Sequence, residues 1–178
     1  MNEASKPGVA MTAGLAAGGG CKEEAGVPRF TYAVECIGQD GEVRWTETFE
    51  NLVTTAGKTD IVDKYFKGSG YTAAWYLGLA GAGTKAVGDT LASHSGWSEI
   101  TSYTGNRQAI TFGTTSAGSN TATAVSFAIT GTATVAGAFI ASAASGTSGT
   151  LYSAGDFSAS RSVLSGDTLN VTMTVSVS

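Results

Sequence analysis

Near the end of the chain, Leu169, Val171, Met173, Val175 and Val177 alternate with Asn170, Thr172, Thr174 and Ser176. A period of two puts all the apolar side chains on one face of an extended strand and the polar ones on the other. One face must then be buried while the other meets solvent or a neighbour, which constrains the chain to a layered β architecture. The same alternation recurs in Phe30, Tyr32, Val34 and Cys36, and in Val125, Phe127 and Ile129. Asp40-Gly41 lies between the first of these runs and residues 43–49, where Val43, Trp45 and Phe49 share a face and Glu47 is the polar exception. An Asp-Gly pair between two β-prone runs is a strong hairpin signal. Further strands are predicted at residues 73–79, 97–101, 107–112, 123–130, 132–141, 149–152 and 168–177, separated by Gly, Ser and Asn turns. Many short strands of this kind predict an antiparallel β-sandwich, jelly-roll or Ig-like.

The period changes once. Ile61, Val62, Tyr65 and Phe66 fall at helical spacing, with Thr54 or Thr55 as N-cap and Gly68 as the stop. This predicts one short helix over about residues 55–67, its apolar stripe covering an end or edge of the sheet core. Residues 1–28 read instead as an extended N-terminal arm, rich in Gly and Ala, with no hydrophobic period and with Gly18-Gly19-Gly20 inside it. Backbone entropy disfavours a helix or strand there; the functional expectation for the arm is ordering against a neighbouring subunit, and the alternative is a loose terminus. The sandwich domain then occupies residues 29–178, a length that suits one core.

Charged residues make up only 13 % of the chain, against roughly 25 % in an ordinary soluble domain. Gly, Ala, Ser and Thr fill the difference, giving weakly solvated surfaces suited to close protein contact. After residue 108 the charged residues are Asp156, Arg161 and Asp167 alone. The net charge of −4, with scattered basic residues, argues against nucleic acid as a partner. No apolar run is long enough to span a membrane, and the N-terminus lacks the pattern of a signal peptide. Cys21 and Cys36 are expected as free thiols.

The search for chemistry returns weak constellations. His94 is the single histidine and lies beside Ser93, Ser95 and Asp89. Sequence neighbours seldom reach triad geometry, and no Gly-x-Ser-x-Gly elbow surrounds them. The carboxylate pairs Asp60/Asp63 and Glu23/Glu24 are close in sequence; Asp60 and Asp63 share the helix with Lys64 and Lys67, where surface pairing is the common role. Gly81-Ala82-Gly83-Thr84-Lys85 lacks the spacing of a phosphate loop, and the sequon at Asn170 falls within a strand. The expectation is therefore a non-enzyme without cofactor or metal. Most of the aromatic residues suit core or interface packing. Trp97 and Tyr103, in or near the long loop over residues 80–96, are the expected exposed aromatics and, with Met11, Leu15 and Val27 of the arm, the expected interface residues.

Several stretches together resemble small virion structural proteins of tailed bacteriophages. They are Asn51-Leu52-Val53-Thr54-Thr55-Ala56-Gly57, Trp75-Tyr76-Leu77-Gly78-Leu79, Gly88-Asp89-Thr90-Leu91-Ala92-Ser93-His94-Ser95-Gly96-Trp97-Ser98-Glu99, Gly137-Ala138-Phe139 and Ser165-Gly166-Asp167-Thr168-Leu169-Asn170-Val171-Thr172. The resemblance spans roughly residues 43–178 and leaves the arm uncovered. It implies a protein made in the host cytoplasm and carried on the virion surface, with no catalytic residues. The leading expectation is a capsid decoration (cement) protein, a homo-oligomer whose partner is the major capsid protein. The alternative is a tail-fibre or receptor-binding module that recognises host-surface glycan through the loop over residues 80–96, Trp97 and Tyr103.

Overall fold

The computed structural model describes residues 28–71 and 74–177. In chain order the elements are β1 (Arg29–Ile37), β2 (Val43–Glu50), β3 (Leu52–Val53), α1 (Thr55–Ile61), a π-helical turn (Val62–Phe66), β4 (Tyr76–Ala80), β5 (Glu99–Ile100) and β6 (Gln108–Ala109). They continue with β7 (Ser119–Thr121), β8 (Val125–Ala128), β9 (Ala133–Ala141), β10 (Leu151–Val163) and β11 (Thr168–Ser176). The fold is an all-β sandwich of two antiparallel sheets with one short helix.

The first sheet runs β2-β1-β11, with β7 and β8 both on the far side of β11. Its hairpin turns at Gly41, whose φ of +80° lies in the left-handed region that Gly occupies at little cost. A bulge between Cys36 and Ile37 shifts the register from Cys36↔Trp45 to Ile37↔Val43 and leaves Val43 exposed, outside the face it was expected to share. On its other side β1 pairs with β11 along its whole length, from Arg29↔Ser176 to Ile37↔Thr168. The two runs with the clearest alternation are thus hydrogen-bonded neighbours, and Tyr32, Val34, Cys36, Leu169, Val171 and Met173 are all buried.

The second sheet runs β3-β10-β9-β4, with β5 and β6 both on β4. Leu77, Leu79, Val135, Ile140 and Val163 belong to the same core cluster as the buried residues of the first sheet. A second cluster joins Phe139, Ala141 and Ala154 to Leu91 and Trp97 of the long loop. Adjacent residues of a strand face opposite ways, so β9 is buried on both faces, with the loop as cover on the outside.

Five expectations need correction. Strand β10 extends to Val163, eleven residues beyond the end predicted at Tyr152. Its pairing with β9 is broken between Asp156 and Arg161, and that irregularity erases the period-two signal. The strand expected over residues 107–112 shrinks to Gln108–Ala109, and β7 was not expected. The single helix is instead a short α-helix followed by a π turn, closed by Lys67 N–H donating to Val62 O at 3.0 Å. Of its apolar stripe only Ile61 packs against the core: Val62, Tyr65 and Phe66 are 56 %, 81 % and 75 % exposed. The helix is held at its other end, where Thr54 caps Gly57 N–H at 3.0 Å and Gly57 lies against the Tyr152 backbone. The arm over residues 1–27, with Met11, Leu15, Cys21, Glu23, Glu24 and Val27, lies outside the described residues, as does Ala73.

Candidate binding groove

The exposed end of the helix borders a groove of about 390 Å³. Its floor comes from both sheets at one end of the sandwich: Phe30 of β1, Val175 of β11, Ile140 of β9 and Tyr152 of β10. Ile61 and Tyr65 form one wall, with Asp60 and Lys64 as polar groups, and Tyr71, Trp75 and Phe112 complete the lining. The floor is preorganised by aromatic packing. Tyr152 meets Phe30 edge-on at 5.5 Å and Trp75 at 5.0 Å between ring centroids. The indole N–H of Trp75 donates to the Tyr71 hydroxyl at 3.1 Å, which fixes both rings. Burial pushes the Tyr152 phenol well above the usual tyrosine value, so the groove presents it neutral at physiological pH. Apolar walls with a few polar groups suit an aliphatic or aromatic occupant. The aromatic residues here were visible in the sequence, but their convergence depends on strands far apart along the chain.

Trp97 and Tyr103 were expected to be exposed, and both are buried, at 6 % and 5 % exposure. Trp97 packs on Phe139 at 5.2 Å, under the stacked His94 ring at 4.2 Å. Its indole N–H donates to Asp89 Oδ2 at 2.8 Å, and Lys85 Nζ sits 5.6 Å from its ring centroid. Trp97 is therefore the anchor that fastens the loop to the outer face of β9. Tyr103 bridges to Ile129 and meets Phe127 edge-on at 4.9 Å. Burial, with Glu99 nearby, pushes its phenol up to about 12. Neither side chain can serve as an open binding platform in this fold.

Several of the titratable side chains that the sequence singles out are occupied by structural contacts. His94 Nδ1–H donates to Trp97 O at 3.2 Å, and Asp89 serves Trp97 and the Ala86 N–H rather than His94, so the two do not form an acid–base pair. Lys85 of the Gly81–Lys85 stretch is ion-paired with Asp156 and donates to Gly81 O at 2.9 Å, so its cation is used internally. Asp63 pairs with Lys67 at 3.6 Å on the surface, as its spacing predicted. Asn170 Oδ1 accepts from Ser126 Oγ at 2.6 Å across the β8–β11 pair. Glu47, the polar exception of β2, accepts Arg161 Nη2–H at 2.8 Å and the Ser158 N–H at 3.0 Å, filling the gap where β10 leaves its register. The Arg161 hydrogen bond, then that of Ser158, holds its carboxyl below the usual range. Arg107 forms a two-pronged pair with Glu99, at 2.8 and 2.7 Å, and donates to Ala143 O and Gly146 O, tying the 142–150 loop down. Among the described residues, no cluster of His, Cys, Asp and Glu has the geometry to hold a metal ion. Compared with known proteins, the chain matches no family model and no curated protein.

Proposed function

We propose that this chain is a structural virion protein that binds and stabilises a bacteriophage capsid shell as a decoration protein, acting as a homo-oligomer on the major capsid protein and without catalysis. The motif resemblance and the low charge support this reading. The observation that carries it is the ridge of Val62, Tyr65 and Phe66 beside the groove, which includes the two most exposed large apolar side chains among the described residues. A contiguous apolar patch of this kind marks a surface for protein contact, because leaving it in water costs about 25 cal/mol for each Å². Aromatic side chains are the usual anchors of such contacts. The mechanism is passive: each copy bridges capsid subunits, and the small contribution of one contact is repeated over the shell. Counting copies in purified particles by quantitative mass spectrometry tests the proposal. Hundreds per particle are expected; absence from the particle would overturn it.

A second reading is a tail-fibre or receptor-binding module for host-surface glycan. The observation that favours it is the combination of Tyr65, Tyr71 and Trp75 with Asp60 and Lys64, which offers stacking faces beside hydrogen-bonding groups. On this reading the sugar site is the groove, since Trp97 and Tyr103 are buried. A few to tens of copies per particle, with saturable binding of host polysaccharide lost in Tyr65→Ser, would select it.

A further inference from the structure

We infer that the groove is the seat of the chain's own N-terminal segment, with Val9, Met11 and Leu15 as the side chains that enter it. The inference goes beyond the capsid proposal and does not depend on it. Phe30, part of the groove floor, is the second residue of β1 and lies two positions after Pro28, where the described chain begins. The described chain therefore begins beside the groove, and 27 residues precede Pro28 in the sequence.

The composition of those residues fits the site. Between Met1 and Cys21 the bulky aliphatic side chains are Val9, Met11 and Leu15 alone. All three occupy odd positions, so with Ala13 they share one face of an extended chain. Four positions are too few to register as a period across the whole arm. A volume of about 390 Å³ accommodates two or three such side chains and is too small for a folded element. The unbranched, polarisable thioether of Met11 suits a cavity walled by Trp75, Tyr152 and Tyr65.

The connection is long enough. Leu15 stands thirteen positions before Pro28, a span of about 43 Å at full extension. As a Gly-rich coil the same span averages about 20 Å end to end, which covers a groove beginning at Phe30. Gly18-Gly19-Gly20 lets the chain reverse direction between the two points. A tether of this length gives the segment an effective concentration in the millimolar range at its own groove, favouring it over a segment from a second copy in dilute solution.

The chain has three methionines, Met1, Met11 and Met173, which makes methyl-labelled NMR of the full chain a direct test. Met173 is buried in the core and reports that each variant is folded. The Met11 methyl is expected to be shifted upfield by ring currents, at all protein concentrations, with cross-relaxation to Trp75 or Tyr152 ring protons. In Tyr65→Ser with Tyr71→Ser it should return to the position of an unstructured methionine while Met173 stays in place. A Met11 signal at that unstructured position in the unmodified chain would overturn the inference. So would a shift that appears only as concentration rises and the particle mass doubles, which would assign the groove to a second copy. The free chain is used throughout, so this result and the count of copies per virion can fail independently.

Discussion

Gly57 gives the sharpest test of how the helix is attached. By intrinsic propensity, Gly57→Ala in α1 should stabilise the protein by about 1 kcal/mol, since Gly is a poor helix residue. The structure reverses the sign. A methyl group at position 57 would lie 3.0 Å from the carbonyl carbon of Tyr152 and 3.1 Å from its Cα, and closer still to the carbonyl oxygen. That oxygen already accepts the Thr54 N–H at 3.0 Å, and the Thr54 hydroxyl donates to the neighbouring Leu151 O at 2.5 Å, so backbone on both sides is pinned. Overpacking against backbone costs about 1–3 kcal/mol. Lifting α1 to relieve it weakens a Thr54 hydrogen bond, worth about 1 kcal/mol. Set against the propensity gain, the net effect is a loss of about 2 kcal/mol, or about 4–8 °C in Tm for a chain of this size. Urea denaturation, with the midpoint and slope both fitted, measures it. Gly88→Ala is the control, because a methyl there meets nothing within 4 Å. An unchanged or higher midpoint for Gly57→Ala would refute the placement of the helix on β10.

Three further outcomes are expected. Replacing Val62, Tyr65 and Phe66 together by Ser should change folding stability by less than about 1 kcal/mol, because all three are exposed, while markedly lowering attachment to the particle; unaltered attachment would remove the ridge from the docking surface. Glu47→Gln should destabilise by about 1–3 kcal/mol, since Arg161 and the Ser158 N–H lose a charged acceptor. Because the Glu47 carboxyl is held below its usual range, its contribution is present above that range and lost as pH falls through the lowered value. The acid limb of a stability–pH curve should flatten in the variant, and an identical limb would count against the pair. Cys36 is pushed up to about 11, first by burial and then by the Asp167 carboxylate. Its stability contribution is complete below the usual thiol value near 9 and is lost as pH rises towards 11, so Cys36→Ala should flatten thermal melts across that alkaline window.

Local periodicity made the sandwich legible where a strand has one wet and one dry face. Phe30 to Cys36 and Leu169 to Val175 alternate cleanly because β1 and β11 lie side by side in the first sheet and bury one face each. The Asp40-Gly41 turn was equally plain, since it needs a residue that tolerates positive φ. Strand β10 was not legible beyond Tyr152. There, Gly155 packs against Glu50 and Asn51 and the register then breaks, so Phe157 is the one bulky apolar residue before Val163 and no alternation marks the strand.

The alternating apolar residues, the Asp-Gly turn, the scarcity of charge and the Thr54 cap all act through the few residues around them, and the sequence by itself determined these. Which apolar residues finally meet water was decided by the tertiary structure. Trp97 is buried because β9 offers it Phe139 on an outer face that the long loop can reach. Tyr65 and Phe66 are exposed because the side of the helix that carries Gly57 and Ile61 is the one that meets the sheets. Hydrophobicity favours burial somewhere, but it has no direction, and the partner surface is set by contacts between residues distant in the chain. The groove follows the same rule: its residues span positions 30 to 175, and only the pairing of the sheets brings them to one end of the sandwich.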